Sequence, residues 1–340
     1  MNKDLQITDE SRIKLAAPTL MELSARGART ILISHLGRPA GKPTSQLSLR
    51  LVSESLSKAL GGIDIVFASN CIGTSAQEIS RAVKPGDFAL LENLRFHRGE
   101  EANDPNFAAE LSALGDIYIN DAFSTSHRHH ASVVGVPALL PNAAGRLMQA
   151  ELNALSRVLS HPDPPTMAII GGAKISTKLK LIGNLIDHVE VIAIGGGMAN
   201  TFLASQGHNM QQSLMEAQMV TEARDIMDLA KFKGVHIALP TDGVMGSDTS
   251  EDPLIETHQV TRIPVAWAMF DIGPISAAHF STYLAEAGTV VWNGPMGMAE
   301  RPAFAKGTRK IAQAVSTSLG YSIVGGGDSV APPCIPCDRR

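Results

Sequence analysis

Short apolar runs rich in Ile, Val and Leu alternate along the chain with longer stretches in which apolar positions recur every three to four residues. That alternation predicts repeated strand-helix units around parallel sheets, an α/β fold throughout. In the first half, strands are predicted at 30–34, 63–67, 88–91 and 117–120, and helices near 11–25, 48–59 and 105–114. In the second half, strands are predicted at 167–170, 189–194, 235–239, 269–272, 289–292 and 322–324. Residues 142–160 predict one long helix, which His161-Pro162-Asp163-Pro164-Pro165 cannot continue. The expected architecture is two Rossmann-like parallel-sheet domains, 1–141 and 166–340, joined by this long helix and a Pro-rich hinge over 142–165, with a hinge cleft between them.

A length of 340 residues allows about two domains of ordinary size. The 44% hydrophobic and 18% charged content fits a folded globular protein and excludes a disordered or collagen-like chain. No apolar run approaches the roughly 18 residues of a membrane span, and the opening MNKDLQITDE lacks a secretory core. With only Cys71, Cys334 and Cys337, an oxidised framework is not expected, and a cytoplasmic location is. The net charge of -4 argues against nucleic acid or anionic membrane as partner. The halves differ, however: residues 1–150 balance 15 Lys+Arg against 15 Asp+Glu, and ten of those cations are arginine. A guanidinium fork suits carboxylate and phosphate, so a small anion is the first ligand to consider there.

In open α/β sheets, ligands sit beyond the carboxyl ends of the strands, so the residues immediately after each strand matter most. First-half strands run into basic loops: SHLGRP with His35 and Arg38, LENLRFHRGE with Arg95, and NDAFSTSHRHHAS with His127 to His130. Second-half strands run into glycines: IIGGAK, AIGGGMAN, VWNGPMG and IVGGGDS. Glycine lets backbone approach a phosphate or flat ring, and a helix N-terminus after it supplies N–H groups. The contrast implies two different ligands, one for each half.

Lys174 and Lys178, four apart in GGAKISTK, are expected on one side of a helix start beside a phosphate chain; a pair of solvated lysines is the alternative. The Walker A pattern GxxxxGK[ST] is absent. Asp328, after three glycines, suits either a magnesium that bridges nucleotide phosphates or, with Ser329, a helix N-cap. The histidines of the 127–130 run are adjacent on a loop, where side chains rarely converge on one ion. Arg12, Arg38, Arg95 and Arg128 are either surface salt-bridge partners or one anion pocket, and three of the four come after strand ends. Cys334 and Cys337 have redox or zinc spacing but no second pair.

Taken in order, SHLGRP, LENLRFH, DAFSTSHR, GGAKISTK, GGGMANTF, DIGP, WNGPMG and GGGDS resemble the phosphoglycerate kinase family from Ile7 to about Ala331. The resemblance implies phosphoryl transfer between 1,3-bisphosphoglycerate and ADP, giving 3-phosphoglycerate and ATP, in a cytoplasmic monomer. It implies a phosphoglycerate-binding first domain, with Arg12, His35, Arg38, Arg95 and Arg128 as its basic patch. It implies a nucleotide-binding second domain, with Lys174 following the transferred phosphoryl group and Lys178 on the α-phosphate. Gly172, Gly196, Gly197, Gly326, Gly327 and Ser329 line that site, Asn293 lies near the phosphates, Glu300 holds the ribose, and Asp328 holds Mg2+ with the nucleotide. Such transfer is in-line positioning plus charge neutralisation, for which Arg12 and Lys174 are the chosen catalytic groups, and hinge closure gates it.

The family pattern also includes an initial strand with R-x-D-x-N-V-P and a terminal T-G-G-G-A segment, neither of which this sequence contains. Loss of a strand leaves unpaired backbone, so a truncated and catalytically impaired remnant that binds nucleotide is the alternative expectation. A third reading, an NAD-dependent dehydrogenase, requires an acidic residue about 20 positions after a fitting fingerprint, and none is found.

Overall fold

The computed structural model describes residues 7, 10–247 and 253–326. The chain forms two compact units, residues 1–153 and 154–340. The first contains α1 (Ser11–Ala25), β1 (Thr30–Leu32), α2 (Arg50–Ala59), β2 (Ile65–Ala68), α3 (Gly73–Ala82) and β3 (Phe88–Leu91). It continues with α4 (Arg98–Ala102), α5 (Pro105–Ser112), β4 (Tyr118–Asn120), α6 (Val136–Leu139) and β5 (Asn142–Ala144). Helix α7 (Arg146–Ser160) runs on into the second unit, which opens with β6 (Thr166–Ile170), α8 (Leu179–Leu185), β7 (Val191–Ile194), α9 (Gly196–Ser205) and α10 (Val220–Lys233). Its remaining elements are β8 (His236–Ala238), β9 (Asp242–Gly246), β10 (Ile255–Gln259), β11 (Ala268–Ile272), α11 (Pro274–Glu286), β12 (Thr289–Asn293), α12 (Lys306–Thr317) and β13 (Tyr321–Gly325).

The second unit is built on a five-stranded parallel sheet, β13-β12-β6-β7-β8. Both faces are covered, so β6 is buried throughout and apolar from Met167 to Ile170, yet its residues still alternate. Met167 and Ile169 join Val290, Trp292, Phe280 and Ile311 on the face covered by α11 and α12. Ala168 and Ile170 join Ile192, Ile194, Phe202 and Ile226 on the face covered by α9 and α10. In the first unit β3 does the same: Phe88 and Leu90 pack toward α1 and α2, and Leu91 packs toward Phe107 and Leu111 of α5. Its parallel strands form two sheets, β1-β3-β2 and β4-β5.

Local signals explain several boundaries. Helix α5 starts where Asp104 accepts from Phe107 N at 2.9 Å and Pro105 occupies the first turn. Helix α10 ends on Gly234 at φ 76°, a left-handed conformation that glycine adopts without a Cβ penalty.

Two expectations are corrected. The sequence predicts helix from residue 142, but 142–144 pair in parallel with β4 and the helix opens at Arg146. The opening is fixed by residues distant in sequence. Thr19 Oγ1 accepts from Arg146 N at 2.9 Å, Asp121 accepts from Met148 N at 3.0 Å, and Glu22 takes a two-pronged ion pair from the Arg146 guanidinium. Nor are all second-unit strands parallel: 269–272 belong to β11, which flanks β9 with β10 in an antiparallel sheet. Strands β9 and β10 escape the hydrophobic pattern, because DGVMG carries two glycines and IETHQ carries one apolar residue, so neither reads as a strand.

Candidate active site

In the first unit, the strand ends bring the expected basic residues together. His35 comes after β1, Arg95 lies in the short helical turn after β3, and Arg128 lies in the loop after β4. Burial and then the positive charges of Arg95, Arg128, His130 and Arg12 drive the His35 imidazole down to about 4. Five cationic or ionisable side chains thus act on one another, with His35 held neutral at pH 7. Arg12 and Arg38 are exposed at the edge of the cluster, and Arg38 acts on Arg95.

Arg95 is 4% exposed, and its Nη1 donates to the Gly37 carbonyl at 2.7 Å. Its Nε is 3.3 Å from Glu101 without hydrogen-bond geometry, and its Nη2 has no hydrogen-bond acceptor. Arg128 Nε is likewise buried without an acceptor. Orphaned buried donors each cost about 1–3 kcal/mol, and here they belong to two guanidinium groups, one after β3 and one after β4.

Sequence reasoning missed the carboxylate beneath this cluster. Glu100, 1% exposed, accepts from Ser132 N at 3.0 Å and Ser132 Oγ at 2.5 Å, and lies 3.7 Å from His130 Nδ1. It anchors the end of the 127–132 loop and so helps place Arg128. In the sequence Glu100 stands in RGEE, which reads as a solvated charge run, and no pattern marks it as buried. The other histidines of the run diverge: His127 is exposed, and His129 Nδ1 meets Asn103 Nδ2 at 3.4 Å. Among the described residues no group of three or more His, Cys, Asp or Glu could hold a metal.

In the second unit, the glycine-ended strands converge as expected, but many of the glycines serve one another. Gly171 N donates to Asn293 O at 2.9 Å, Gly172 N to Pro295 O at 3.1 Å, Gly195 N to Ile170 O at 3.0 Å and Gly196 N to Met296 O at 2.8 Å. A Cβ on Gly171 would collide with the Pro295 carbonyl oxygen, and one on Gly294 with the Gly171 carbonyl oxygen. Gly196 has φ 69°, and a Cβ there would meet Gly172 O at 2.6 Å. These residues are small so that three loops can lie backbone to backbone, a use that strand-end position alone does not reveal. Gly197 lies in the first turn of α9, and Gly326, at φ 94°, comes after β13.

The two lysines do not share one helix face. Residues 175–178 form a turn closed by Lys178 N to Ile175 O at 2.8 Å, and α8 begins only at Leu179. Lys178 Nζ folds back to Gly171 O at 2.7 Å, Asn293 O at 3.0 Å and Asn293 Oδ1 at 2.6 Å. It is a half-buried ammonium bridging the ends of β6 and β12, and Asn293 is one of its acceptors. Lys174 is exposed. Its charge acts on Glu216, which accepts from Ser176 N at 2.9 Å and Ser176 Oγ at 2.6 Å and thereby fixes the lysine loop. Glu300 is exposed in the turn after β12. Gly327, Asp328, Ser329, Cys334 and Cys337 lie outside the described residues. Cys71 is a free, buried thiol that burial pushes up to about 12.

Comparison with known proteins gives a consistent result. The phosphoglycerate kinase family model matches residues 1–332. The chain is 47% identical over 333 residues to phosphoglycerate kinase from Rhodospirillum centenum, covering 97% of this chain and 84% of that protein. It is also 47% identical over 326 residues to the Moorella thermoacetica enzyme of the same name, covering 96% and 83%. Among solved structures it is similar to phosphoglycerate kinase from Coxiella burnetii, with TM-score 0.84 and 40% identity over 97% of this chain and 83% of that one. The Pyrococcus horikoshii enzyme has TM-score 0.79 and 28% identity, covering 97% and 84%. Eight ordered motifs, an arginine-rich strand-end cluster, interlocked glycine loops and this identity over nearly the whole chain all agree, and the chain belongs to the phosphoglycerate kinase family.

Proposed function

We infer that this protein is a phosphotransferase that moves a phosphoryl group reversibly between 1,3-bisphosphoglycerate and ADP, giving 3-phosphoglycerate and ATP. The observation that carries the reading, beyond family membership, is the first-unit cluster: neutral His35 among Arg12, Arg38, Arg95 and Arg128, with buried guanidinium donors that lack acceptors. A carboxylate-bearing phosphate ester supplies the negative oxygens these donors require. His35 is neutral, so one of its ring nitrogens donates while the other accepts.

The nucleotide is assigned to the glycine loops of the second unit. Gly172, Gly196, Gly197, Gly326, Gly327 and Ser329 offer backbone or hydroxyl donors, and Glu300 is available for the ribose hydroxyls. Lys178, fastened to Asn293, presents a fixed charge to the α-phosphate, while the unburied Lys174 is free to follow the phosphoryl group in transit. Arg12 and Lys174 neutralise charge spread over the equatorial oxygens, with no covalent enzyme intermediate. Mg2+ enters as part of the substrate, MgATP or MgADP, and Asp328 is the residue assigned to it. The reading includes a cytoplasmic monomer whose partners are these small molecules, and a closure of the two units that gates transfer.

Separate calorimetric titrations with 3-phosphoglycerate and with MgADP test the assignment of the two ligands. Each is expected to bind the wild-type chain once, with Arg95→Ala losing the first ligand and keeping the second. Loss of both, or of neither, contradicts the assignment. Binding of MgADP without turnover is the behaviour of a nucleotide-binding remnant.

A further inference from the structure

Asp271, near the end of β11, is a carboxylate at 1% exposure in the second unit. Its Oδ2 accepts from Gly307 N at 2.7 Å, and its Oδ1 from Ile272 N at 2.9 Å. Gly307 is the second residue of α12, whose own N-cap, Ala305, supplies no side-chain bond. Asp271 therefore caps α12 from a neighbouring strand, and the helix macrodipole favours its charge there. A Cβ on Gly297 or on Gly307 would collide with the Asp271 carboxylate, so the nucleotide-side loop and the helix both rest on it.

The next residue, Thr308, is fully buried, and its Oγ1 accepts from Met296 N at 3.0 Å. Met296 O then accepts from Gly196 N at 2.8 Å, and the adjoining Pro295 O accepts from Gly172 N at 3.1 Å. Met298 N donates to Phe270 O at 2.9 Å, fastening the same loop to β11 as well. An unbroken series of bonds thus joins the buried carboxylate to α12, α12 to the 294–298 loop, and that loop to the glycines at the start of α9 and after β6. Burying a carboxylate is costly unless its acceptors are filled, and burial pushes Asp271 up to about 7 against the two N–H groups and the Arg309 charge that favour its ionised form.

We propose that Asp271 and Thr308 are positioning residues for the nucleotide, setting the height of the 294–298 loop from which Gly172 and Gly196 hang. Neither residue touches the nucleotide, and their role rests on the assignment of nucleotide to these loops. The hydroxyl of Thr308 is the link most cleanly removed, because valine matches its shape without the acceptor.

The test compares wild type, Thr308→Val, Thr308→Ser and Asp271→Asn by MgADP titration and by steady-state kinetics with each substrate varied. Thr308→Val is expected to weaken MgADP binding and raise nucleotide KM about tenfold, with the 3-phosphoglycerate KM within about twofold of wild type and Thr308→Ser restoring the nucleotide values. Asp271→Asn is expected to move the same way, since an amide turns an N–H toward a backbone N–H. If that variant does not fold, the valine and serine pair decides alone. Unchanged MgADP binding in Thr308→Val, or serine no better than valine, overturns the proposal. A wild-type chain that binds no MgADP overturns the nucleotide assignment, and this proposal with it.

Discussion

The central residue of the basic cluster, His35, carries no charge at pH 7. His35 is desolvated by burial, and an imidazolium there would also face the guanidinium groups of Arg95, Arg128 and Arg12, so the fold holds it at about 4 in place of the ordinary 6.5. A folded pKa below the unfolded one means that the unfolded chain binds the extra proton between pH 6.5 and 4. The stabilising contribution is fully present above pH 6.5 and disappears as pH falls through about 4. After solvent screening of a half-buried group it amounts to about 1–2 kcal/mol. NMR titration of the ring is expected to show this low pKa in the free protein and an upward shift with 3-phosphoglycerate bound; an unshifted value near 6.5 in the free protein contradicts the clustering. The two lysines separate by environment in the same way. Lys174→Ala is expected to lower kcat about a thousandfold with the melting temperature unchanged. Lys178→Met is expected to cost about 1–3 kcal/mol of stability as well, since three carbonyl acceptors lose their donor. Thermal melts of the two variants side by side check the contrast. In the sequence both lysines carry the same signal, four residues apart, because what parts them is the return of the Lys178 side chain to Asn293, far away in the chain.

Among the elements, the close approach of β6, β7 and β12 at their carboxyl ends is the feature that most constrains the chain. Gly171→Ala places a methyl group on the Pro295 carbonyl, backbone that no rotamer change can move aside. The expected cost is about 2–4 kcal/mol, read from chemical denaturation, together with loss of nucleotide binding. Gly183→Ala in α8, where the added methyl meets nothing within 4 Å, is the control and is expected to be neutral or stabilising. A Gly171→Ala variant as stable as wild type contradicts the interlock. The element pattern itself is largely legible in the sequence: Phe88–Leu91 is a strand over the predicted span, and the parallel strands of both units other than β5 overlap their apolar runs. Structure dictated from a distance is not legible. Asn142–Ala144 reads as the start of a helix until β4 pairs with it, and α7 receives its N-terminal cap from Thr19 and Asp121. Strands β9 and β10 exist because they pair with each other and β9 also pairs with β11, not because their residues favour extended backbone.

Across the whole molecule, the two units carry different chemistry: guanidinium and imidazole at the strand ends of the first, interlocked backbone and an anchored ammonium at those of the second. That division is legible in the sequence because it is written in residue types after strands. The partners that hold it in place, Glu100, Glu216, Asp271 and Thr308, are not, since each acts through a bond to residues remote in the sequence. Ligands that bind only the folded chain stabilise it in proportion to the logarithm of their concentration. 3-Phosphoglycerate and MgADP are each expected to raise the melting temperature, and Arg95→Ala is expected to remove only the first response. Whether both ligands react on this chain is read from ATP-dependent formation of an acyl phosphate from 3-phosphoglycerate, trapped with hydroxylamine, in wild type and Lys174→Ala. Hydroxamate that accumulates with wild type and falls about a thousandfold with the variant is the predicted result. A folded wild-type chain that binds both ligands yet forms no hydroxamate contradicts it.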